Sequence, residues 1–313
     1  MPPEISIVIP TFNRADRLRN CLDALTKQTQ PASDFEVIVV DDGSSDGTAE
    51  MLEEMKPPFR LRVIPEENRG NGAARNRGAE IATAPYLLFL DDDIVASPEL
   101  VAEHLRVQRA YGGAVVLGPY PLLVPTDGGR LVRSLAKVRV GYFRWLEDQT
   151  PTFAHCASGN LSLPRSLFWQ AGGFAVDLPR RVDIELGYRV QELGATFVFA
   201  PRAVGAEDDR ETLRERMADE ELRGAVSLEL WGRHPRIAAS DHGRYQLGRR
   251  WDRLRSLLLA LRTPPRLIGV SCNVLPEAWL PAWWTFLYSY CFWTGVRRAV
   301  PARDTAQARV SCD

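Results

Sequence analysis

The first ninety residues alternate between short apolar runs and amphipathic stretches, a pattern that few folds accommodate. Ile5-Ser-Ile-Val-Ile9 opens a strand over Ile5–Pro10, and further strands follow at Phe35–Val40, Leu61–Ile64 and Tyr86–Leu90. Between them, helical periodicity covers Ala15–Gln28, Thr48–Met55 and Ala73–Ile81. Near-continuous apolar strands joined by helices predict an α/β fold with a mostly parallel central sheet flanked by helices, whose ligands lie at the carboxyl ends of the strands. Pro10-Thr11, Asp41-Asp42 and Asp91-Asp92-Asp93 each follow such an end, so three chain-distant polar groups are expected along one edge.

Asp91, Asp92 and Asp93 close the apolar run Tyr86-Leu-Leu-Phe-Leu90. Three adjacent carboxylates repel one another unless a cation or ligand offsets the charge. Hard divalent cations such as Mg²⁺ or Mn²⁺ take oxygen ligands, commonly one or two carboxylates plus the phosphates of a substrate. A diphosphate-bearing substrate is the expectation.

The 313 residues exceed one compact domain of usual size. A hydrophobic fraction of 45%, a charged fraction of 25% and a net charge of −1 are those of an ordinary globular protein and argue against nucleic acid as a partner. Cys21, Cys156, Cys272, Cys291 and Cys312 lack the spacing of a zinc site or a disulfide framework. The N-terminus runs straight into a strand without the basic start of a secretory leader. A cytoplasmic location is therefore expected, with a peripheral position on the inner face of the membrane as a variant of it.

Further along, helices are expected near Leu131–Leu146 and Asp183–Leu193, the second ended by Gly194, and a last strand at Thr196–Ala200. After Pro201 the composition shifts to long charged helices. The division expected is 1–205 for a catalytic domain and 206–313 for a helical C-terminal region. Between Leu267 and Val296 the only charge is Glu277, and Trp279, Trp283, Trp284 and Trp293 fall in the same segment. Its length admits a membrane span, but Pro276 and Pro281 interrupt it and tryptophan favours the interfacial level. Three readings stay open: a helix packed on the catalytic domain, an interfacial element making peripheral membrane contact through 267–298, and a span. Arg249, Arg250, Arg253 and Arg255 upstream would suit anionic headgroups, or simply form a solvated face.

Asp42-Gly-Ser-Ser-Asp46-Gly47 with Glu53 imitates the spacing of an EF-hand loop, but the preceding residues are strand-like. Gly70-Asn-Gly72-Ala-Ala-Arg75 imitates a dinucleotide fingerprint, with arginine where the third glycine belongs and after the third strand rather than the first. A glycine-rich turn opening a helix still offers backbone N–H groups to an anion, and Arg75 could reach a phosphate. Asp183 and Glu185, two positions apart, cannot share a helix face. Glu185 is spaced for a salt bridge to Arg189, leaving Asp183 as the candidate general base.

Taken together, Ile7-Val-Ile-Pro-Thr-Phe-Asn13, Val39-Val-Asp-Asp-Gly-Ser-Ser-Asp-Gly-Thr48, Asn68-x-Gly70 with Gly72-Ala-Ala-Arg-Asn-Arg-Gly78, Phe89-Leu-Asp-Asp-Asp93, Gly172-Gly-Phe174 and Asp183-x-Glu185-Leu-x-x-Arg189 resemble the family-2 glycosyltransferases over residues 5–200. The resemblance implies a GT-A fold, a nucleotide-diphosphate sugar donor, a divalent metal (Mg²⁺ or Mn²⁺) and inversion at the anomeric carbon. By it, Pro10, Thr11 and Asp42 hold the nucleoside, Arg75 and Asp92 belong to the donor site, Asp91 and Asp93 bracket the DxD metal position, and Asp183 is the base. The chain departs from the family in three places: Val182 stands where a glutamate precedes the catalytic aspartate, Glu207 falls where many relatives carry a histidine near the metal, and the Gln-x-x-Arg-Trp element of processive synthases is absent. The last departure implies addition of one sugar per encounter.

Two other function classes compete. A nucleotidyltransferase that makes sugar nucleotides needs a glycine-rich basic loop directly after the first strand, where this chain has Pro10-Thr-Phe-Asn-Arg14. A non-catalytic nucleotide-sugar-binding module would account for Val182 and the lost histidine. The acceptor, whether lipid-linked, saccharide or small metabolite, is not written in the variable segments.

Overall fold

The computed structural model describes residues 2–125 and 128–310, so Cys312 lies outside the described residues. In chain order the elements are β1 (Ile5–Thr11), α1 (Ala15–Leu25), β2 (Phe35–Asp41), α2 (Thr48–Glu54), β3 (Arg60–Pro65), α3 (Asn71–Ile81) and β4 (Tyr86–Leu90). Next come β5 (Ile94–Ala96), α4 (Leu100–Tyr111), β6 (Val115–Leu117), α5 (Arg130–Glu147), β7 (Asn160–Pro164), α6 (Arg165–Gln170), α7 (Val182–Glu192), β8 (Phe197–Phe199) and β9 (Gly205–Glu207). The C-terminal helices are α8 (Leu213–Arg233), α9 (Pro235–Arg244), α10 (Arg249–Ala260), α11 (Pro265–Gly269) and α12 (Leu280–Val310).

The chain divides into two units, one of Met1–Leu123 with Arg139–Asp209 and one of Val124–Val138 with Arg210–Asp313. The first is built on a seven-stranded sheet of order β3-β2-β1-β4-β7-β6-β8. The first four strands pair in parallel, as expected from their alternation with helices. β7 runs antiparallel between β4 and β6, and β5 with β9 forms a separate two-stranded ribbon. This mostly parallel sheet, flanked by helices and followed by a helical region, is the expected fold class.

Side-chain alternation explains the layering. Ile5, Ile7 and Ile9 of β1, with Val37 and Val39 of β2, join Leu18, Leu22 and Leu25 of α1 and Leu100 and Leu105 of α4 in one buried cluster. Val8 and Val40 point the other way, toward α3, which lies so close that a Cβ on Gly78 would fall 2.3 Å from Val8 Cγ1. Only glycine admits that approach. Burying one aliphatic side chain of this kind contributes on the order of 1.5–3 kcal/mol, so the isoleucine face of β1 is a principal anchor of the sheet.

In the second unit, α12 runs beside α8 and meets α10 and α11. Trp284, Tyr290 and Phe292 of α12 are buried, and Tyr245 stacks on Phe292 at a centroid distance of 3.9 Å. Of the tryptophan-rich segment, Trp283 and Trp284 are thus core of the helical unit, whereas Trp279 is 60% exposed. Among the described residues no helix is long and apolar enough to cross a membrane.

Candidate active site

At the carboxyl ends of β1, β2 and β4 the expected residues come together around Thr11. Its carbonyl accepts the Asp42 amide N–H at 2.9 Å, and its hydroxyl donates to Asp92 Oδ2 at 2.8 Å. Pro10 and Thr11 are buried in β1, whose register sets Thr11 beside Asp41. Asp42 is buried and accepts the backbone N–H groups of Arg69 and Gly70 at 2.8 and 2.9 Å. That carboxylate fixes the loop before α3, and its remaining lone pairs keep capacity for a ligand. Asp46, the fifth position of the EF-hand look-alike, instead accepts from the Ala15 and Thr48 amides at the starts of α1 and α2.

The three aspartates after β4 are neutralised unequally. Asp91, partly exposed, forms an ion pair with Arg75. Asp92 is buried between Thr11 and the Arg14 guanidinium at 3.0 Å. Asp93 meets Arg14 at 3.1 Å and Arg17 at 4.0 Å through Oδ2. Its Oδ1 is buried and has no hydrogen-bond partner. Burial above all, then the charges of Asp91, Glu207 and Asp92, raises the Asp93 pKa to about 8 against the pull of Arg14. Burial likewise raises Glu207, opposed by Arg139, its ion-pair partner.

Arg14 is the residue that sequence reasoning missed. Its signal was position: an arginine one turn past the end of β1, facing acids at the end of the neighbouring β4.

Arg75 is held from below as well as in front. Its guanidinium carbon lies 5.7 Å from the centre of the Phe174 ring, and its Nε is buried without a partner. Phe174 is locked to α3, since its amide donates to Asn76 Oδ1 at 2.8 Å and its carbonyl accepts from Asn76 Nδ2 at 2.9 Å. From the other side Arg189 donates to Gly173 O at 2.6 Å and pairs with the buried Glu185 at 2.5 Å. The expected i,i+4 pair therefore ties the Gly-Gly-Phe turn to α7.

Asp183 stands in the first turn of α7, half-buried, its Oδ1 accepting the Ile184 amide at 2.9 Å. Gly194 closes the same helix, with the Ala195 amide donating to Val190 O at 3.1 Å. Burial, and after it the Asp183 charge, pushes the Cys156 thiol well above its ordinary range. Three residues on, Gly159 passes Asp91 so closely that a Cβ there would lie 2.8 Å from Asp91 Oδ2. Three residues of chain reach at most about 11 Å. The loop 156–159 therefore runs from Gly187 of α7, against which Cys156 packs, to Asp91.

Among the described residues no group of three or more His, Cys, Asp or Glu side chains is arranged to hold a metal ion. What does fit a hard cation is the unpartnered Asp93 oxygen, with the charges of Asp91, Asp92 and Glu207 about it and Arg14 on the other oxygen of the same carboxylate. Two carboxylates completed by substrate phosphates is the usual arrangement for Mg²⁺.

A family model described as glycosyl transferase family 2 matches residues 6–171. Validoxylamine A glucosyltransferase of Streptomyces hygroscopicus subsp. jinggangensis is 34% identical over 241 residues, 68% of this chain and 57% of that protein. Glycosyltransferase AglE of Haloferax volcanii is 28% identical over 66% of this chain and 68% of its own length. The chain spans 57% and 53% of the length of the two validoxylamine A glucosyltransferases it matches. Among solved structures, mannosyltransferase PcManGT of Pyrobaculum calidifontis, in complex with GDP-Man and Mn²⁺, superposes with a TM-score of 0.66 at 18% identity, covering 96% of this chain and 88% of that one. S. aureus TarS 1-349 in complex with UDP-GlcNAc gives 0.55 at 18% identity, covering 94% and 91%. At such identities these structures speak to the fold alone.

Proposed function

The chain belongs to glycosyl transferase family 2, and from that premise we propose that it moves one sugar from a nucleotide-diphosphate sugar to an acceptor hydroxyl with inversion at the anomeric carbon. The observation that carries the reading is the convergence on Thr11, which binds Asp42 through its carbonyl and Asp92 through its hydroxyl at the carboxyl edge of the sheet. Relatives of the same fold hold GDP-Man and UDP-GlcNAc, which supports a donor of that class.

In this reading Pro10, Thr11 and Asp42 form the nucleoside end of the site, and Asp92 holds Thr11 and Arg14 in place. Arg75, seated on Phe174, faces the diphosphate and exchanges its contact with Asp91 for a phosphate oxygen. Asp91 and Asp93 are the residues that would hold Mg²⁺ or Mn²⁺; a bound cation would offset charge on the departing diphosphate. Asp183 accepts the acceptor hydroxyl proton as that oxygen attacks, so no protein nucleophile is needed. The catalytic chemistry belongs to the region expected as 1–205. The acceptor is a lipid-linked, saccharide or small-metabolite hydroxyl, and a peripheral membrane contact of the C-terminal region fits the first of these.

A panel of nucleotide sugars with Mn²⁺, scored by thermal shift, tests the reading. A ligand that binds only the native state at one hundred times its Kd adds about 2.7 kcal/mol of stability. One nucleotide family should raise the melting temperature in the presence of metal. Pyrophosphate release from a nucleoside triphosphate and a sugar 1-phosphate would instead assign nucleotidyl transfer.

A further inference from the structure

Helix α10 is the one helix of eight or more residues in the second unit, among the described residues, in which no side chain is buried. Its sequence is nonetheless apolar along one stripe. Trp251, Leu254, Leu257 and Leu261 recur at helical spacing within about a third of the circumference, and they are 47%, 39%, 55% and 67% exposed. About 100° round the helix from the middle of the stripe, Arg255 turns inward, donating to Ser289 Oγ and the Tyr245 carbonyl, each at 2.6 Å, and Trp251 at the stripe's edge meets Phe286 of α12 at a centroid distance of 5.6 Å, which leaves Leu254, Leu257 and Leu261 outward. The three leucines are therefore not a misplaced core face, because the helix already docks through Arg255 and the edge formed by Trp251.

The charges beside it are one-sided. Between 244 and 279 the chain carries seven arginines against Asp252 and Glu277. Asp252 pairs with Arg255 at 2.9 Å, and Glu277 lies 3.6 Å from Lys137. Arg249, Arg250 and Arg253 form no ion pair among the described residues. The helix ends on Arg262 with φ 53, a left-handed position that glycine would occupy more readily. Exposed leucine and tryptophan flanked by unpaired arginine, on a chain of net charge −1, is the chemistry of an element that lies in the plane of an anionic interface.

We propose that the stripe Trp251–Leu261 of α10 docks the protein peripherally on a bilayer surface containing anionic lipid, with Arg249, Arg250 and Arg253 at headgroup level. This moves the membrane contact from the expected 267–298, whose Trp283 and Trp284 are core, to the helix before it. A second copy of the chain fits less well, because two such faces would bring arginines against arginines. The inference does not depend on the sugar-transfer reading.

Co-sedimentation of the full chain with vesicles of phosphatidylcholine, alone or with about a third phosphatidylglycerol, tests it. Binding should require the anionic lipid and weaken with salt. Leu257→Glu with Leu261→Glu, both exposed and harmless to the core, should lower the partition coefficient on the order of tenfold or more, since each carries buried-acyl contact. Arg250→Gln and Arg253→Gln should each lower it about fivefold, and an unchanged melting temperature in each variant shows that the fold is intact. Equal sedimentation with neutral and anionic vesicles, or binding untouched by these variants, would overturn the proposal. So would a concentration-dependent dimer that Leu257→Glu abolishes, since that would give the face to another copy of the chain.

Discussion

Arg14 reaches Oδ2 of Asp93 at 3.1 Å while Oδ1 of the same aspartate is buried with no donor in reach. One side of the carboxylate is satisfied by a fixed guanidinium and the other is left open, which costs on the order of 1–3 kcal/mol unless something binds there. The open oxygen is the reason to expect cation dependence here.

That asymmetry sets a pH dependence. Asp93 ionises near 3.9 unfolded but is raised by burial and the neighbouring acids to about 8 when folded. A group with a raised folded pKa contributes stability that is complete below the unfolded value and is lost as pH climbs through about 8. Melting of the metal-free protein between pH 5 and 8 should therefore show a declining contribution that Asp93→Asn removes. Mn²⁺ should bind the parent more tightly at about pH 8 than at pH 6 and release a proton. Parallel melting curves for parent and variant would refute the assignment.

His104 works in the opposite direction. It is fully buried, with Nδ1 2.9 Å from Ser162 Oγ and Nε2 2.8 Å from Asn160 Oδ1, and burial lowers its pKa to about 4. Its contribution is present above the unfolded value of about 6.5 and is lost as pH falls toward 4. His104→Gln is expected to cost about 1–3 kcal/mol at neutral pH and to flatten the acid limb of the stability profile. Denaturant melts at pH 7 and pH 5 measure both effects.

Asp183→Asn keeps the acceptor of the Ile184 amide but removes the carboxylate proposed as the base. Turnover should fall by about 10²–10⁴-fold, with nucleotide affinity by calorimetry within about twofold of the parent. Near-normal turnover would remove Asp183 from the mechanism.

Gly78→Ala would place a methyl 2.3 Å from Val8 Cγ1, with Val40 Cγ2 at 3.3 Å. Both neighbours are core, so α3 must shift away from the sheet, at a cost of about 1–3 kcal/mol. Because Arg75 rides on the same helix, donor affinity should fall together with the melting temperature. Loss of stability with unchanged affinity would show that the site tolerates the displacement.

The parallel half of the sheet was legible because β1, β2 and β4 are apolar runs bounded by helical periodicity. The strand β7 was not: Asn160 and Ser162 lie inside it, buried on His104, and polar residues in a five-residue strand read as a turn. β5, β6 and β9 are three residues long, too short for any period to register, whereas β8, equally short, lies inside the strand expected at Thr196–Ala200. The candidates Asp42, Asp91, Asp92 and Asp93 were legible as strand-end acids. Their guanidinium partners were not, because nothing in a sequence separates an arginine aimed at a carboxylate from one in water, and Arg14 at 40% side-chain exposure could have been either.

Because β7 runs against β4, it begins where β4 finishes, and the Gly159 carbonyl accepts the Asp91 amide at 3.3 Å. The reversal delivers the residues before β7 to the rim where the acids stand, while the loops after β1 and β2 arrive there from the parallel strands. On the proposed reading, donor and acceptor sides would be supplied by separate stretches of chain meeting at one seam. If so, lengthening or replacing the segment ahead of Gly159 should retune what receives the sugar without disturbing the loops after β1 and β2.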